Sequence, residues 1–419
     1  MEPTVTVPAR PRPLRLLFVV PPLSGHLHPA LALAAELTRR GHAVAWSGPE
    51  PTLRPVLGPD ALVLPTGSRL FREQAVGDTA AIRTLWQDFI VPYARFTLPA
   101  VRQAVVEWRP DLVLVDQHSP AGALAAHRHG VAWAGFSPSS MELGRPLADP
   151  ELFGWQEELL RGLWRRAGLD EAEYVDPRFS PRLIVVATAP ALLGARPSDE
   201  EDGGDATAVP VNADEPLKAD EPLPPQCVTV GPMFTDRPAA PDFPWKLLRD
   251  DRRRVLVTLG TLSASVAEDF LLRTGAALAA LADRVQAIVA APPSVLAKLP
   301  EEVLGLPEVP VLELLRRGAV EAVLCHGGMN TVCETLTYGL PLVLAPIRHD
   351  QPITAARVGA LGAGVVVNFA TAGPQDIRRA LLDVLDSPGP RAAAQAMAGQ
   401  LASLGGASQA ADLLEECAG

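Results

Sequence analysis

At 419 residues, 48% hydrophobic and 20% charged, the chain has ordinary globular composition and room for two cores, which excludes a disordered or fibrous protein. Its formal charge is −11, but nine carboxylates against Lys218 alone stand between Ser198 and Pro224. The remainder is nearly balanced and offers no basic footprint for nucleic acid.

In chain order, residues 1–13 form a Pro/Arg-rich tail ahead of the apolar run Leu16 to Val20. Arginines before an apolar run resemble the start of a signal peptide. The run is too short for a membrane span, breaks at Pro21-Pro22 and lacks a small-residue cleavage site. A buried first strand over 14–20 is the better reading, with no stable membrane insertion. A turn from Pro21 to His28 follows, then an amphipathic helix from Pro29 to Arg40 that ends at Gly41. Pro29 suits the first helical position and residue 28 the N-cap. Val44 to Trp46 begins a second strand and completes a βαβ unit. Asp111 to Val115, Ala121 to His129 and Val131 to Phe136 repeat the strand, helix, strand order.

The stretch 198–224 breaks this pattern with Pro, Asp, Glu and Gly, and repeats Ala-Asp-Glu-Pro-Leu at 213–217 and 219–223. Such a segment buries too little apolar surface to order itself and reads as a mobile insertion. A second alternating half begins at Arg254 to Gly260. Its further strands are expected at Val285 to Ala290, Ala322 to Cys325, Leu342 to Ala345 and Gly364 to Asn368. The fold class is therefore α/β, two domains with parallel sheets. Neither half carries Gly-x-Gly-x-x-Gly after its first strand, which argues against a dinucleotide redox cofactor. Cys227, Cys325, Cys333 and Cys417 show neither metal-ligand nor disulfide spacing, which fits a reduced, cytoplasmic protein.

The most informative stretch is His326-Gly327-Gly328-Met329-Asn330-Thr331-Val332-Cys333-Glu334, after one apolar strand and at the start of a helix. Two glycines let a ligand approach the backbone, and a helix N-terminus offers free N–H groups to a diphosphate. Gly339-x-Pro341 and Pro346-x-x-x-Asp350-Gln351 follow. Together with Gly25-His26, Val230-Gly231-Pro232 and Leu259-Gly260-Thr261, these motifs resemble the signature of family 1 glycosyltransferases of the GT-B fold, in particular the actinobacterial enzymes that decorate polyketide, macrolide and glycopeptide natural products.

That resemblance implies two Rossmann-like domains facing a cleft: an acceptor domain over 14–226, a nucleotide-sugar domain over 227–400, and a C-terminal helix over 401–419 returning to the first. It implies that Gly25, Thr261, His326, Gly327, Gly328, Asn330 and Thr331 lie against or near the diphosphate, Glu334 on the ribose hydroxyls, and Asp350 and Gln351 on sugar hydroxyls. Taken alone, Thr331-x-x-Glu334 also reads as a capping box. One departure concerns the nucleobase. The family's aromatic residue and Pro-Gln pair are replaced here by Val309 to Leu315, which leaves uracil and thymine both open.

The resemblance also implies that His26 is the base and Asp116 the carboxylate that holds it. Imidazole suits the task because its ordinary pKa lies near neutrality, and an acceptor on its other nitrogen fixes the tautomer. His118 is a second candidate for Asp116's place. The implied reaction is an inverting transfer of a hexose or deoxyhexose from a UDP- or dTDP-sugar to a small acceptor. With no Asp-x-Asp at a strand end, neither a metal nor a cofactor beyond the nucleotide-sugar co-substrate is expected. The acceptor pocket is expected around Met141, Trp155 and Trp164, although both tryptophans also fit a helix core. A nucleotide-sugar isomerase or hydrolase of the same fold, and an inactive binding homologue, are the alternatives.

Overall fold

The computed structural model describes residues 12–68, 79–143, 150–193, 210–212, 215–216, 223–235, 243–260 and 266–419. Thr261, most of 198–224 and nearly all of the N-terminal tail lie outside this set. The first sheet contains β1 (Arg15–Val19), β2 (Ala43–Pro49), β3 (Leu62–Thr66), β4 (Leu112–Asp116), β5 (Ala132–Ser137), β6 (Ile184–Val186) and β9 (Cys227–Thr229). It runs in the order β3-β2-β1-β4-β5-β6-β9, with every pair parallel. Between β6 and β9, β7 (Pro210–Asn212) and β8 (Glu215–Pro216) pair antiparallel, so the acidic stretch contains at least one backbone ladder.

The second sheet contains β10 (Arg253–Thr258), β11 (Val285–Ala290), β12 (Val303–Leu306), β13 (Ala322–Cys325), β14 (Leu342–Leu344) and β15 (Gly364–Val366). It is also all parallel, in the order β12-β11-β10-β13-β14-β15. Both sheets are covered by helices on their two faces, which is why the central strands read as continuous apolar runs rather than alternating ones. Leu16, Leu17, Phe18 and Leu112 to Leu114 are all fully buried, as are Val255 to Val257 and Val323 to Cys325.

The last helix, Gly406–Ala418, belongs to the first sheet's core. Ala410, Ala411 and Leu414 pack with Leu33 and Leu37 of the first helix and with Leu16 and Phe18 of β1. Arg40 at that helix's end bonds Glu415 at 3.1 Å, and His42 meets the same carboxylate at 2.9 Å. The chain therefore crosses from one sheet to the other and back. This double crossing ties the two halves together and leaves a cleft between the C-terminal ends of the strands.

Candidate active site

In each sheet the strand order reverses beside one strand, and ligands of open α/β sheets gather at that crevice. In the first sheet it opens between β1, which leads toward β2, and β4, which leads toward β5. His26 follows β1 and Asp116 is the last residue of β4. Their side chains meet: His26 Nδ1 lies 2.8 Å from Asp116 Oδ2. Asp116 is fully buried, and its other oxygen accepts the main-chain N–H of His118 at 2.8 Å. The carboxylate is thus held on both sides, and Nδ1 is the nitrogen that donates to it. Nε2 is left as the basic nitrogen on the cleft side. Burial alone would depress this imidazole, but the charge and hydrogen bond of Asp116, with Asp350 opposite, raise it above its ordinary value.

The local backbone differs from the sequence expectation. The first helix spans Ser24–Arg39, so Pro29 is inside it and Leu23, not His28, is the N-cap. His26 sits in its first turn, where the N–H groups of His26 and Leu27 both turn back to the Leu23 carbonyl. His28 lines the cleft rather than capping a helix. A proline is a poor locator of a helix start when the first turn's donors are orphans anyway.

In the second sheet the reversal lies between β10 and β13. Gly260 follows β10 and His326 follows β13. A Cβ on Gly260 would lie 2.9 Å from His326 Cε1, and one on Gly328 would lie 2.7 Å from His326 Nε2. The two glycines leave the slot that the imidazole occupies. Gly260 and Gly327 also adopt positive φ, 74° and 82°, which other residues rarely do. His326 Nδ1 is buried with no hydrogen-bond partner among the described residues. Burial and the nearby Arg348 cation lower its pKa to about 4, so at neutral pH the ring is an uncharged hydrogen-bonding group.

The helix Met329–Thr337 then begins with Gly328 as N-cap. The N–H of Val332 makes the first turn's bond, to the Gly328 carbonyl, so the N–H groups of residues 329–331 are available to an anion. With Thr331 inside the helix, the capping-box alternative for Thr331 and Glu334 is excluded. Glu334 is buried at 2% exposure on the cleft wall. Asn330 donates instead across the cleft, from Nδ2 to the Gly25 carbonyl at 3.0 Å. Asp350 is the N-cap of the helix Gln351–Ala360. Gln351 Oε1 accepts the N–H groups of Ile347 and Arg348 at 3.0 and 3.1 Å, which closes that loop and leaves only its NH2 end for a ligand.

A cavity of about 630 Å³ joins the two crevices, large enough for a ligand of drug size. His26, His118 and Met141 line it from the first half, and His326, Glu334 and Asp350 from the second. Sequence reasoning placed Trp155 and Trp164 there as well, and the structure does not. Trp164 is 1% exposed in the core, its Nε1 bound to the Asp170 carbonyl at 2.7 Å and its ring edge-on to Tyr174. Trp155 packs at the edge of the same core beneath the Arg83 guanidinium. Both follow the apolar stripe of the helix Pro150–Arg166, which faces the protein rather than the cleft.

A family model for the C-terminal domain of erythromycin biosynthesis protein CIII-like proteins matches residues 275–416. Over 438 residues the chain is 28% identical to 4'-demethylrebeccamycin synthase of Lentzea aerocolonigenes, covering 96% of this chain and 99% of that one. It is 26% identical to demethyllactenocin mycarosyltransferase of Streptomyces fradiae over 434 residues, 96% and 86% of the two chains. Among solved structures, the kitacinnamycin glycotransferase superposes with a TM-score of 0.74 at 25% identity, covering 98% of this chain and all of the other. The spinosyn rhamnosyltransferase SpnG with thymidine diphosphate shares the fold, with a TM-score of 0.72 at 23% identity over 96% of this chain and 100% of that one. The chain is a glycosyltransferase with the GT-B fold, similar over nearly its whole length to natural-product glycosyltransferases.

For this glycosyltransferase the sequence reading overlooked two buried charges. Arg348, 2% exposed, lines the cleft and lies close enough to His326 for its charge to act on that ring. Glu142, also 2% exposed, lies behind His118. Arg348 falls between the motif residues Pro346 and Asp350, and that proximity was the available signal. Glu142 had none, because its partners are remote in sequence. Among the described residues no helix is long and apolar enough to cross a membrane.

Proposed function

We propose that this glycosyltransferase moves a hexose or deoxyhexose from a UDP- or dTDP-sugar to a hydroxyl of a small, largely apolar natural product, with inversion and with His26 as base. The observation that carries the reading is the His26–Asp116 pair at 2.8 Å, which leaves Nε2 facing a cavity whose opposite wall is the His326–Gly327–Gly328 turn. In this mechanism the acceptor O–H gives its proton to His26 Nε2. Its oxygen attacks the anomeric carbon from the side opposite the leaving group, and the bond to the diphosphate breaks with its electron pair on the phosphate oxygen. Asp116 stabilises the imidazolium that forms. The leaving charge is met by the N–H groups at the start of Met329–Thr337, by neutral His326 as a donor and by Arg348.

We read the transfer as metal-independent. Among the described residues, the one cluster with metal-ligand potential is His26, Asp116 and His118, on the acceptor side, where two members already bond each other. The relatives' names, a rebeccamycin synthase and a mycarosyltransferase, support a natural-product acceptor. The apolar wall contributed by Leu85, Pro138 and Met141 suits one.

The experiment is to incubate the protein with UDP-glucose, or with a dTDP-sugar, in the presence and absence of a panel of polyphenol and macrolide aglycones. Donor consumption that requires an acceptor, and that falls by about 10²–10⁴-fold in His26→Ala, is the expected result. Consumption without acceptor identifies a hydrolase or isomerase instead.

A further inference from the structure

Four consecutive residues, Arg348, His349, Asp350 and Gln351, contribute to one wall of the cavity. Regular backbone does not do this. A strand sends alternate side chains to opposite faces, and a helix spreads four of them around most of a circle. Here the chain leaves β14, turns, and enters the helix Gln351–Ala360 through Asp350 as its N-cap. Gln351 Oε1 draws that turn closed by accepting the N–H groups of Ile347 and Arg348. Within it His349 adopts φ 57°, in the left-handed region.

Among the described residues, the other non-glycine residue at positive φ is Arg109, which ends the helix Val91–Trp108, a place where left-handed residues are common. His349 ends no helix. Glycine takes such a backbone without cost, as Gly260 does on the same cavity. A larger side chain is held there against its conformational preference, and residues of that kind cluster at ligand sites. The His349 ring is partly buried, so it belongs to the wall without being sealed from the cavity. It stands close enough to Asp350 for its charge to act on that carboxyl, and Asp350 acts in turn on His26 across the cleft. His349 therefore lies at the end of the cavity where the two halves face each other, away from the apolar end formed by Leu271, Pro292 and Val309.

We propose that His349 is a specificity-determining residue for the donor sugar, its imidazole pairing with one sugar hydroxyl in addition to those that meet Asp350 and the Gln351 amide, so that a fully hydroxylated hexose is preferred to a deoxyhexose. A neutral imidazole carries one donor and one acceptor and can pair with a hydroxyl in either sense. A site built to bond a hydroxyl discriminates against the analogue that lacks it, because the protein's own polar group is then left unmatched. The proposal rests on the reading of this cavity as a nucleotide-sugar site, and it decides between the hexose and the deoxyhexose which that reading leaves open.

The test is calorimetric binding of UDP-glucose, its 2-, 3-, 4- and 6-deoxy analogues and free UDP, with the dTDP series in parallel. The expected result is that one deoxy analogue binds about fivefold or more weakly than the glucose compound, the order of one hydrogen bond. In His349→Gly, which suits the backbone, that deficit should disappear. Affinity for the free nucleotide should hold, and the melting temperature should hold or rise. His349→Ala gives the same comparison if glycine loosens the turn. Equal affinities across the deoxy series overturn the proposal, and so does a deficit that survives both substitutions. Parallel weakening of free UDP and UDP-glucose in His349→Gly overturns it as well, because it makes the residue a structural member of the loop. Failure of the underlying reading is seen separately, as no binding of either free nucleotide, and the proposal falls with it.

Discussion

Asn330 of the helix Met329–Thr337 donates its side-chain amide to the main-chain carbonyl of Gly25 in the first half, at 3.0 Å. That carbonyl is open because Pro29, four residues on within the same helix, has no N–H to fill it. The proline is unfavourable for the helix and keeps an acceptor available to the other domain. Replacing it should invert the balance. Pro29→Ala supplies the missing donor to Gly25, so the melting temperature should rise or hold while kcat falls as Asn330 loses its partner. A raised melting temperature with unchanged kcat would show that the contact between the halves plays no part in turnover.

The His26–Asp116 pair makes a signed prediction about pH. Burial depresses the imidazole, but the Asp116 charge and hydrogen bond, with Asp350, raise it above 6.5 in the folded state. The stability that this pair contributes is complete below the unfolded pKa and is lost as pH rises through the higher folded one. A base must be deprotonated, so kcat/KM should climb with pH through that same raised value. Asp116→Asn removes the first and strongest of the raising influences. The climb should shift to lower pH while the plateau falls, because the imidazolium has lost its support. A pH profile whose midpoint does not move on this substitution would remove Asp116 from the role.

Gly328 offers a clean steric test of the turn that we propose meets the diphosphate. Its φ is −64°, ordinary for any residue, so a side chain there strains no backbone. Its Cβ would nevertheless lie 2.7 Å from His326 Nε2 and must push the ring out of its slot. Gly328→Ala should melt close to the unsubstituted protein and bind UDP about tenfold more weakly, the order of one lost buried hydrogen bond. Unchanged UDP affinity, measured by calorimetry, would show that His326 does not meet the diphosphate.

Asp350 is desolvated in the cleft, which raises its carboxyl from the usual range against the opposing influence of His349 and His26. It faces the base across the space where the sugar of our proposal lies, away from the nucleotide. Asp350→Asn should therefore flatten discrimination among UDP-sugars and change the affinity for free UDP by less than about threefold, within 1 kcal/mol. Parallel weakening of both would make Asp350 a structural helix cap.

Much of this architecture is local and was legible as such. The strands Val285–Ala290 and Ala322–Cys325 were read to the residue, because a doubly covered strand is an unbroken apolar run bounded by turn residues. β3, β6, β9 and β12 were not read, being only three to five residues long, too short for a pattern to stand out, and all but β6 partly exposed. His26 and the 326–334 turn could be located because glycines and helix starts leave short-range patterns. One matter was settled by local hydrogen bonding that the proline obscured, and three belonged to the tertiary structure alone. The helix begins at Ser24 rather than Pro29, because the N–H groups of the first turn find the Leu23 carbonyl whatever follows. Trp164 faces inward, because a helical stripe has a direction only once its neighbour is in place. Gln351 spends its carbonyl on its own loop. Glu142, Arg178 and His118, tens of residues apart, become one network only when three separate segments converge. The sequence by itself determined the two sheets and the two turns that carry the chemistry. Which nitrogens face the cleft was decided by folding, since a hydrogen bond between distant residues has no periodicity to announce it.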